Sequence, residues 1–527
     1  MRTTSRVALA AALAAVGACG GDNSGTRVVA PTPPAFTSVP QVKISQPVTL
    51  GVNCDGAATD GTLFAGTAIE PSIASSATNP SNLIAVWQQN RWSSGGSQAI
   101  GIAASFDGGQ TWTQSSAAFS RCTGGSSANA GGYARASNPW LTMSPNGVAY
   151  ALALAFTGEL FAPGSTSGML VARSADGGNT WTLPVALIGD GSNFFNDKGS
   201  VTADPTDSNY VYAVWDRLAG QIAGPSYLAL TADAGTNWLA ARSIYDPGPN
   251  NQTIGNVIVV TPTDTLVDLF DEIDSSGGMT TSHLRAIRSS DHGTTWSAPI
   301  DVADMLSVGT RDPRSGALVR DSALLFSTTI SPAGVIYVSW QDARFSAGDH
   351  DGIALAWSTD GGLTWSAPVQ ANADTAAAAF TPTVAVNANG AVAVSYFDLR
   401  NVSKSASMLL ADCWMVTTSD EASFTESHIS GPFDLHLAPQ VTQGYFLGDY
   451  QGLISAGADF MPTLAQPNAG TSVSTDVYIS FPAQATATAQ ARGAFRAAAA
   501  APVSLSLQVR QRIAARIRRG LSQRLHP

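Results

Sequence analysis

The octamer STDGGLTW (358–365) is written several times along this chain. Other copies read SFDGGQTW (105–112), SADGGNTW (174–181), TADAGTNW (231–238) and SSDHGTTW (289–296), and a worn copy, TSDEASFT, occupies 418–425. Their aspartates, Asp107, Asp176, Asp233, Asp291, Asp360 and Asp420, stand 69, 57, 58, 69 and 60 residues apart. Self-similarity at a period of this size marks a repeat architecture. The octamer has the chemistry of a tight hairpin turn. An Asp carboxylate accepts hydrogen bonds from backbone N–H groups one to three residues on, and the glycines take the positive φ that such a turn demands. The Thr hydroxyl closes the loop, and the Trp folds back to bury its ring with an N–H left to find an acceptor. These aspartates are read as structural.

Working outward, each octamer sits in the same grammar. In the first repeat PSIAS (71–75), LIAVWQ (83–88), IGIAAS (100–105) and WTQSS (112–116) read as four short strands. In the fifth, ALLFSTTI (323–330), VIYVSW (335–340), GIALAWS (352–358) and WSAPVQ (365–370) do the same. Turn signals such as NPSN (79–82), DPTDSN (204–209) and SPAG (331–334) separate first from second strands, as hairpins require. Four short antiparallel strands per unit, repeated around an axis, predict an all-β chain folded as a β-propeller. Six units are visible. After Pro432 the stretches 444–456, 460–466 and 475–481 supply three more strands, and QVKISQPVTL (41–50) supplies a fourth that closes the ring. Seven blades are expected, with six as the alternative, over residues 41–482.

The two ends are different material. Residues 1–19 carry Arg2 and Arg6, an apolar run from Val7 to Ala18, then Cys19. The run is too short to span a bilayer and reads as an export signal. VGAC (16–19) resembles a bacterial lipoprotein cleavage box, which implies lipidation at Cys19, with cleavage nearby as the alternative. Residues 20–40 form a Gly-, Pro- and Thr-rich tether. Localisation is expected to be the cell envelope or the exterior. Cys54 and Cys122 flank the first repeat and are able to pair, and Cys413 lies in an apolar run, where a buried inert thiol is expected. The tail, 483–527, holds eight arginines and no acid; with 27 basic and 38 acidic residues in all, the rest of the chain has 19 against 38, a net −19. Leu505, Val509, Ile513, Ile517, Leu521 and Leu525 recur every four residues and predict a basic amphipathic helix. Its partner is expected to be an anionic membrane or protein surface, with the acidic flank of the chain itself, or a frayed tail without a partner, as the alternatives.

The octamers resemble the Asp-boxes of the BNR-repeat, sialidase-like family. EPSIASSATNPSNLIAVWQ (70–88), NDKGSVTADP (196–205) and GYFLGDYQGL (444–453) are similar to phrases of its secreted bacterial members, and the resemblance covers about 70–481. It implies a propeller whose ligand face lies opposite the Asp-box turns, where strand-one starts and strand-two ends emerge together. It also implies an exported glycoside hydrolase removing terminal sugars, exo-α-sialidase in type, or else a propeller that binds glycans or surface proteins without turnover. Asp-boxes serve both, so function must be argued from the site.

On that face the singular residues are the candidates. Glu70, Asp197, Asp449 and Tyr450 are the catalytic set expected, with Lys198 beside Asp197. A Glu that draws off a phenolic proton lets a phenol of pKa about 10 attack an anomeric carbon, whereas two carboxylates would serve acid/base hydrolysis. Arg91, Arg217, Arg344, Arg400 and Arg320 are candidate substrate ligands, because guanidinium forks match a carboxylate. Sialidases clamp the sugar carboxylate with three arginines. Four of these five end a second strand, as in QDAR (341–344) and FDLR (397–400), and the competing reading for them is an Asp–Arg brace. The family's Arg-Ile-Pro motif is missing: AIEP (68–71) has Ile69 where the arginine belongs.

Other chemistries find no pattern. His283, His292, His350, His428, His436 and His526 lack metal-ligand spacing, and GDHDG (348–352) is able to hold a calcium ion but reads as a solvated acidic turn. No metal and no cofactor are expected. A body at net −19 argues against nucleic acid, which needs positive charge. A monomer that meets a glycan is the expectation.

Overall fold

The computed structural model describes residues 39–51, 54, 61–220, 223–276, 279–403, 407–470, 472–482, 492–496 and 505–524. The expected export signal, Cys19 and the expected tether up to 38 lie outside them, as does Leu525.

The chain is all-β up to its C-terminal helix. The first meander runs through Leu63–Ser75, Leu83–Trp92, Ser97–Ser105 and Thr113–Ser115. The second uses Arg135–Met143, Ala149–Thr157, Thr166–Ser174 and Val185–Asp190. The third uses Phe194–Ala203, Val211–Ala219, Ser226–Thr231 and Arg242–Tyr245. Gln252–Val260, Leu266–Ser276, Met279–Ser289 and Ile300–Asp304 form the fourth. Phe326–Ile330, Ile336–Asp342, Gly352–Ser358 and Val369–Gln370 form the fifth. The sixth is Ala379–Val386, Val392–Asp398, Leu410–Thr418 and Ser423–Asp434. Gly452–Ala456, Asp459–Pro467 and Thr475–Ser480 follow, and Gln41–Lys43 joins them as outer strand, Gln41 opposite Ser480. Lys43 and Ser45 both reach Asp476, at 2.6 Å, and pin this seam. First strands of successive meanders pack on one another, and Gly452–Ala456 packs on Leu63–Ser75. That succession is the arrangement of a β-propeller.

The repeated turn explains why the octamer recurs. Asp107 accepts from the backbone N–H of Gln110 and Thr111 at 3.0 and 2.9 Å, and from the Thr111 hydroxyl at 2.6 Å. Acceptance therefore falls three and four residues on, one further than the sequence suggested, because the hydroxyl at the octamer's first position fills the inner place. Ser105 donates to Asp107 and accepts from Gly109 N–H, both at 2.8 Å. Ser174, Thr231, Ser289 and Ser358 repeat that pair of bonds.

One strand differs from its sequence reading. The stretch 444–456 is broken into Gly444–Phe446, which pairs in parallel with Val319–Arg320, and Gly452–Ala456. Gly448 makes the break: its φ is 132°, and a Cβ there would lie 2.7 Å from the Glu70 Cα. Cys54 and Cys122 form a disulfide, and Cys413 is buried with burial pushing its thiol pKa up.

Candidate functional site

The site is built on a backbone feature that recurs in the first strands. The register with the second strand breaks between Ile69 and Ser72, Ser137 and Trp140, Asp197 and Ser200, Ile254 and Val257, and Phe380 and Thr383. At each break one residue has positive φ: Glu70 at 58°, Asn138 at 49°, Lys198 at 41°, Gly255 at 73° and Thr381 at 51°. A bulge re-aims a side chain out of the strand's alternation. For a non-glycine residue the left-handed backbone costs about 1–3 kcal/mol, a strain that concentrates at functional sites.

Three of these residues meet two arginines and the broken segment. Arg320 grips Asp449 through two bonds, Nε to Oδ1 at 2.8 Å and Nη2 to Oδ2 at 2.5 Å. Lys198 Nζ lies 2.5 Å from the same Oδ2 and 3.9 Å from Glu70 Oε1. It also donates to Asn138 Oδ1 at 3.3 Å, while Asn138 donates to Asp197 at 3.0 Å. Glu70 receives the Asp449 backbone N–H at 3.1 Å and a bond from Gln88 Nε2. Arg91 donates to Gln88 Oε1 at 2.7 Å, and its Nε and Nη2 are buried with no hydrogen-bond partner among the described residues. Arg91 and Arg320 both stand over the ring of Phe446, at 5.2 and 4.1 Å from its centroid.

Electrostatics drives the two carboxylates apart. Glu70 is wholly buried, and burial raises its pKa more than Lys198 lowers it. Asp449 is buried too, but Arg320 and Lys198 outweigh that burial and hold its carboxyl well below the usual range. Burial, with Arg320 nearby, lowers Arg91 to about 9. One acid that favours its proton beside one that gives it up is how acid and base roles are separated.

The other expected residues lie elsewhere or act differently. The Tyr450 hydroxyl donates to Pro139 O at 2.6 Å, with its ring edge-on to Trp140, so its proton is not shared with Glu70. Burial raises its pKa. Arg217 pairs with Asp190 at 2.5 Å and stacks on Phe194. Arg344 pairs with Asp342 at 2.8 Å, and Arg400 with Asp398 at 2.5 Å and Glu426 at 2.8 Å. All three act as braces in this arrangement. GDHDG is not the solvated turn expected: Asp351 is buried and accepts from Ser307, Val308 and Gly309, which tie it to the neighbouring loop. Gln88, Asn138 and Phe446 were not singled out by sequence reasoning. Their positions at a strand-two end, a bulge and the short parallel strand were the only clue.

Against known proteins, the BNR repeat-like domain matches residues 227–423. The resemblance read from the octamers is borne out over that stretch. A search of curated proteins finds no match. Among solved structures, an α-L-arabinofuranosidase of Fusarium graminearum is 14% identical, with 69% of this chain and 93% of that one covered and a TM-score of 0.43. An α-L-arabinanase of Penicillium chrysogenum is 17% identical, with 68% and 94% covered and a TM-score of 0.45. A sialidase of Trypanosoma rangeli is 12% identical, with 84% and 57% covered and a TM-score of 0.39.

Proposed function

We propose that the chain is a seven-bladed, Asp-box propeller acting as a glycoside hydrolase on terminal sugars of glycans. The observation that carries this is the Glu70–Lys198–Asp449 cluster, two buried carboxylates whose proton affinities are pushed in opposite directions. Glu70 is suited to protonate the departing glycosidic oxygen, and Asp449 to act as the anionic partner across the bond. Lys198 and Arg320 keep Asp449 ionised and in place.

A sugar carrying a carboxylate, sialic acid first, is the substrate to test, and Arg91 supports that choice. Its two unpartnered donors are what an anionic group would satisfy. They come from the second strand of the first meander, beside the place where the missing arginine motif would stand. Export and lipid anchoring through Cys19 belong to the same proposal, and the glycan is the partner. The second reading, a glycan-binding propeller without turnover, rests on the pairing inside the cluster: each oxygen of Glu70 and Asp449 already has a donor or a cation within reach.

The test is release of sugar from a panel of fluorogenic glycosides, sialosides included, by the wild type and Glu70→Gln. Release that the variant loses supports the hydrolase. Saturable glycan binding with no release from any substrate leaves the second reading in its place.

A further inference from the structure

The basic tail takes no part in the repeat, yet its helix, Leu507–Arg524, sits at the candidate site. Its apolar stripe is buried: Leu505, Ile513 and Ile517 pack with Ile254, Val308, Leu324 and Leu325. Glycines shape the seat. A Cβ on Gly309 would meet Arg516 Nε at 2.4 Å, and one on Gly348 would meet Val509 Cγ1 at 2.2 Å. Glycine is a poor residue inside a helix, and Gly520 is there because a Cβ would strike Leu324 Cδ1 at 2.6 Å. Polar contacts fix the register. Arg516 pairs with Asp321 at 2.8 Å, next to Arg320, and Arg512 donates to Gly348 O at 3.1 Å.

Between helix and cluster lies a cavity of about 60 Å³, with Lys198, Arg320 and Asp449 on one side and Arg516, Arg519 and Gly520 on the other. Sites for small molecules run to about 300–1,000 Å³. The seated helix walls that space and narrows the approach to Asp449.

We propose that the C-terminal helix is an intrachain cap, an autoinhibitory segment that must lift before a glycan reaches Asp449. The proposal rests on the site reading given above for the glycan, but the cap itself is testable without turnover. The chain has only three lysines, Lys43, Lys198 and Lys404. The side chain of Lys198 is 9% exposed and that of Lys43 is 40% exposed, so Lys43 is an internal reference.

The experiment acetylates the full chain with an amine-reactive ester and reads each lysine by mass spectrometry. Two variants bracket the wild type. Arg516→Glu with Ile517→Asp unseats the helix. Gly348→Cys with Val509→Cys, oxidised, locks it: a Cβ at 348 would lie 3.1 Å from the Val509 Cβ, slightly closer than disulfide geometry, and because the backbone at 348 has a φ of 88° a thermal melt confirms that the oxidised form is folded. Labelling of Lys198 relative to Lys43 is expected to rise about tenfold when the helix is unseated, and to stay at or below wild type when it is locked. Turnover of the glycosides is expected to follow labelling. Equal labelling of Lys198 in the unseated and locked forms overturns the cap, and so does full turnover in the locked form. Unmasking of Lys198 without turnover on any glycoside supports the cap and removes the hydrolase reading instead.

Discussion

At the outer turns of the meanders the side chains repeat, whereas at the inner bulges the backbone repeats and the side chains differ. The outer aspartates lie in solvent, and local donors satisfy them. The Thr111 hydroxyl and backbone N–H groups pull Asp107 down to about 2, and those of Thr295 do the same for Asp291. Every bond they make stays within four residues, so the same octamer works wherever it is placed. At the bulges Glu70, Asn138, Lys198, Gly255 and Thr381 share a left-handed backbone but no chemistry. A site needs unlike groups brought together, and the repeated bulge delivers different side chains, Glu70, Asn138 and Lys198, from three meanders to one place. The lesson is that repetition of sequence marks scaffold here, while repetition of backbone geometry alone marks the site.

The contrast can be broken or sharpened by substitution. The largest effect is expected from Glu70→Gln, which keeps the Gln88 contact region but loses the proton donor. Turnover should fall about 10²–10⁴-fold, equivalent to roughly 2.7–5.5 kcal/mol of barrier, while the fold is retained. Steady-state kinetics beside a thermal melt checks both halves. Removing a charge from the cluster comes next. Arg320→Ala leaves buried Asp449 half paired and should cost about 3–5 kcal/mol in a denaturant titration. A cost under 1 kcal/mol would mean that the cluster is not a coupled unit.

On the turn side the effects are smaller and independent. Ser358→Ala removes a buried hydroxyl that serves both Asp360 and Gly362, at about 1–3 kcal/mol. Ser174→Ala should add to it without coupling, because distant sites with no shared partner are additive. Non-additive unfolding energies in the double variant would contradict the scaffold reading of the turns.

The pH dependence separates the carboxylates. Asp449 is depressed in the fold, so its contribution is complete above the unfolded value of about 3.9 and is lost as pH falls toward its folded value. Wild type should lose stability below about pH 4 more steeply than Asp449→Asn, as read from denaturation at a series of pH values. Glu70 is raised, so its favourable neutral form is complete below about 4.3 and is lost as pH rises through its folded value. Turnover should decline over that same rise. The smallest effect belongs to Tyr450→Phe: a hydroxyl given to Pro139 O should matter less than about tenfold in turnover, whereas a phenol nucleophile would be indispensable.

Much of the fold was legible. The octamer's period, the turn signals between strands and the stray strand at 41–50 are all local statements, and the seam of Gln41–Lys43 on Thr475–Ser480 follows from counting strands. The break at Gly448 was not legible, because it depends on how closely that segment presses on Glu70. Within the site, Glu70, Arg320 and Asp449 were legible as singular charges near strand ends, whereas Arg91 belonged to the repeated arginines at strand-two ends. Arg217, Arg344 and Arg400 looked the same in sequence, and only their neighbours Asp190, Asp342 and Asp398 distinguish them. The tail's apolar stripe predicted a helix but could not choose its partner.

By itself, then, the sequence determined what hydrogen bonds over a few residues determine: the turns, the strands and their order. Tertiary structure alone decided which charges meet, since Glu70 and Asp449 are 379 residues apart and become neighbours only at the seam. It also drives their proton affinities apart, because burial and a shared lysine act through space, and it placed the C-terminal helix beside Asp449.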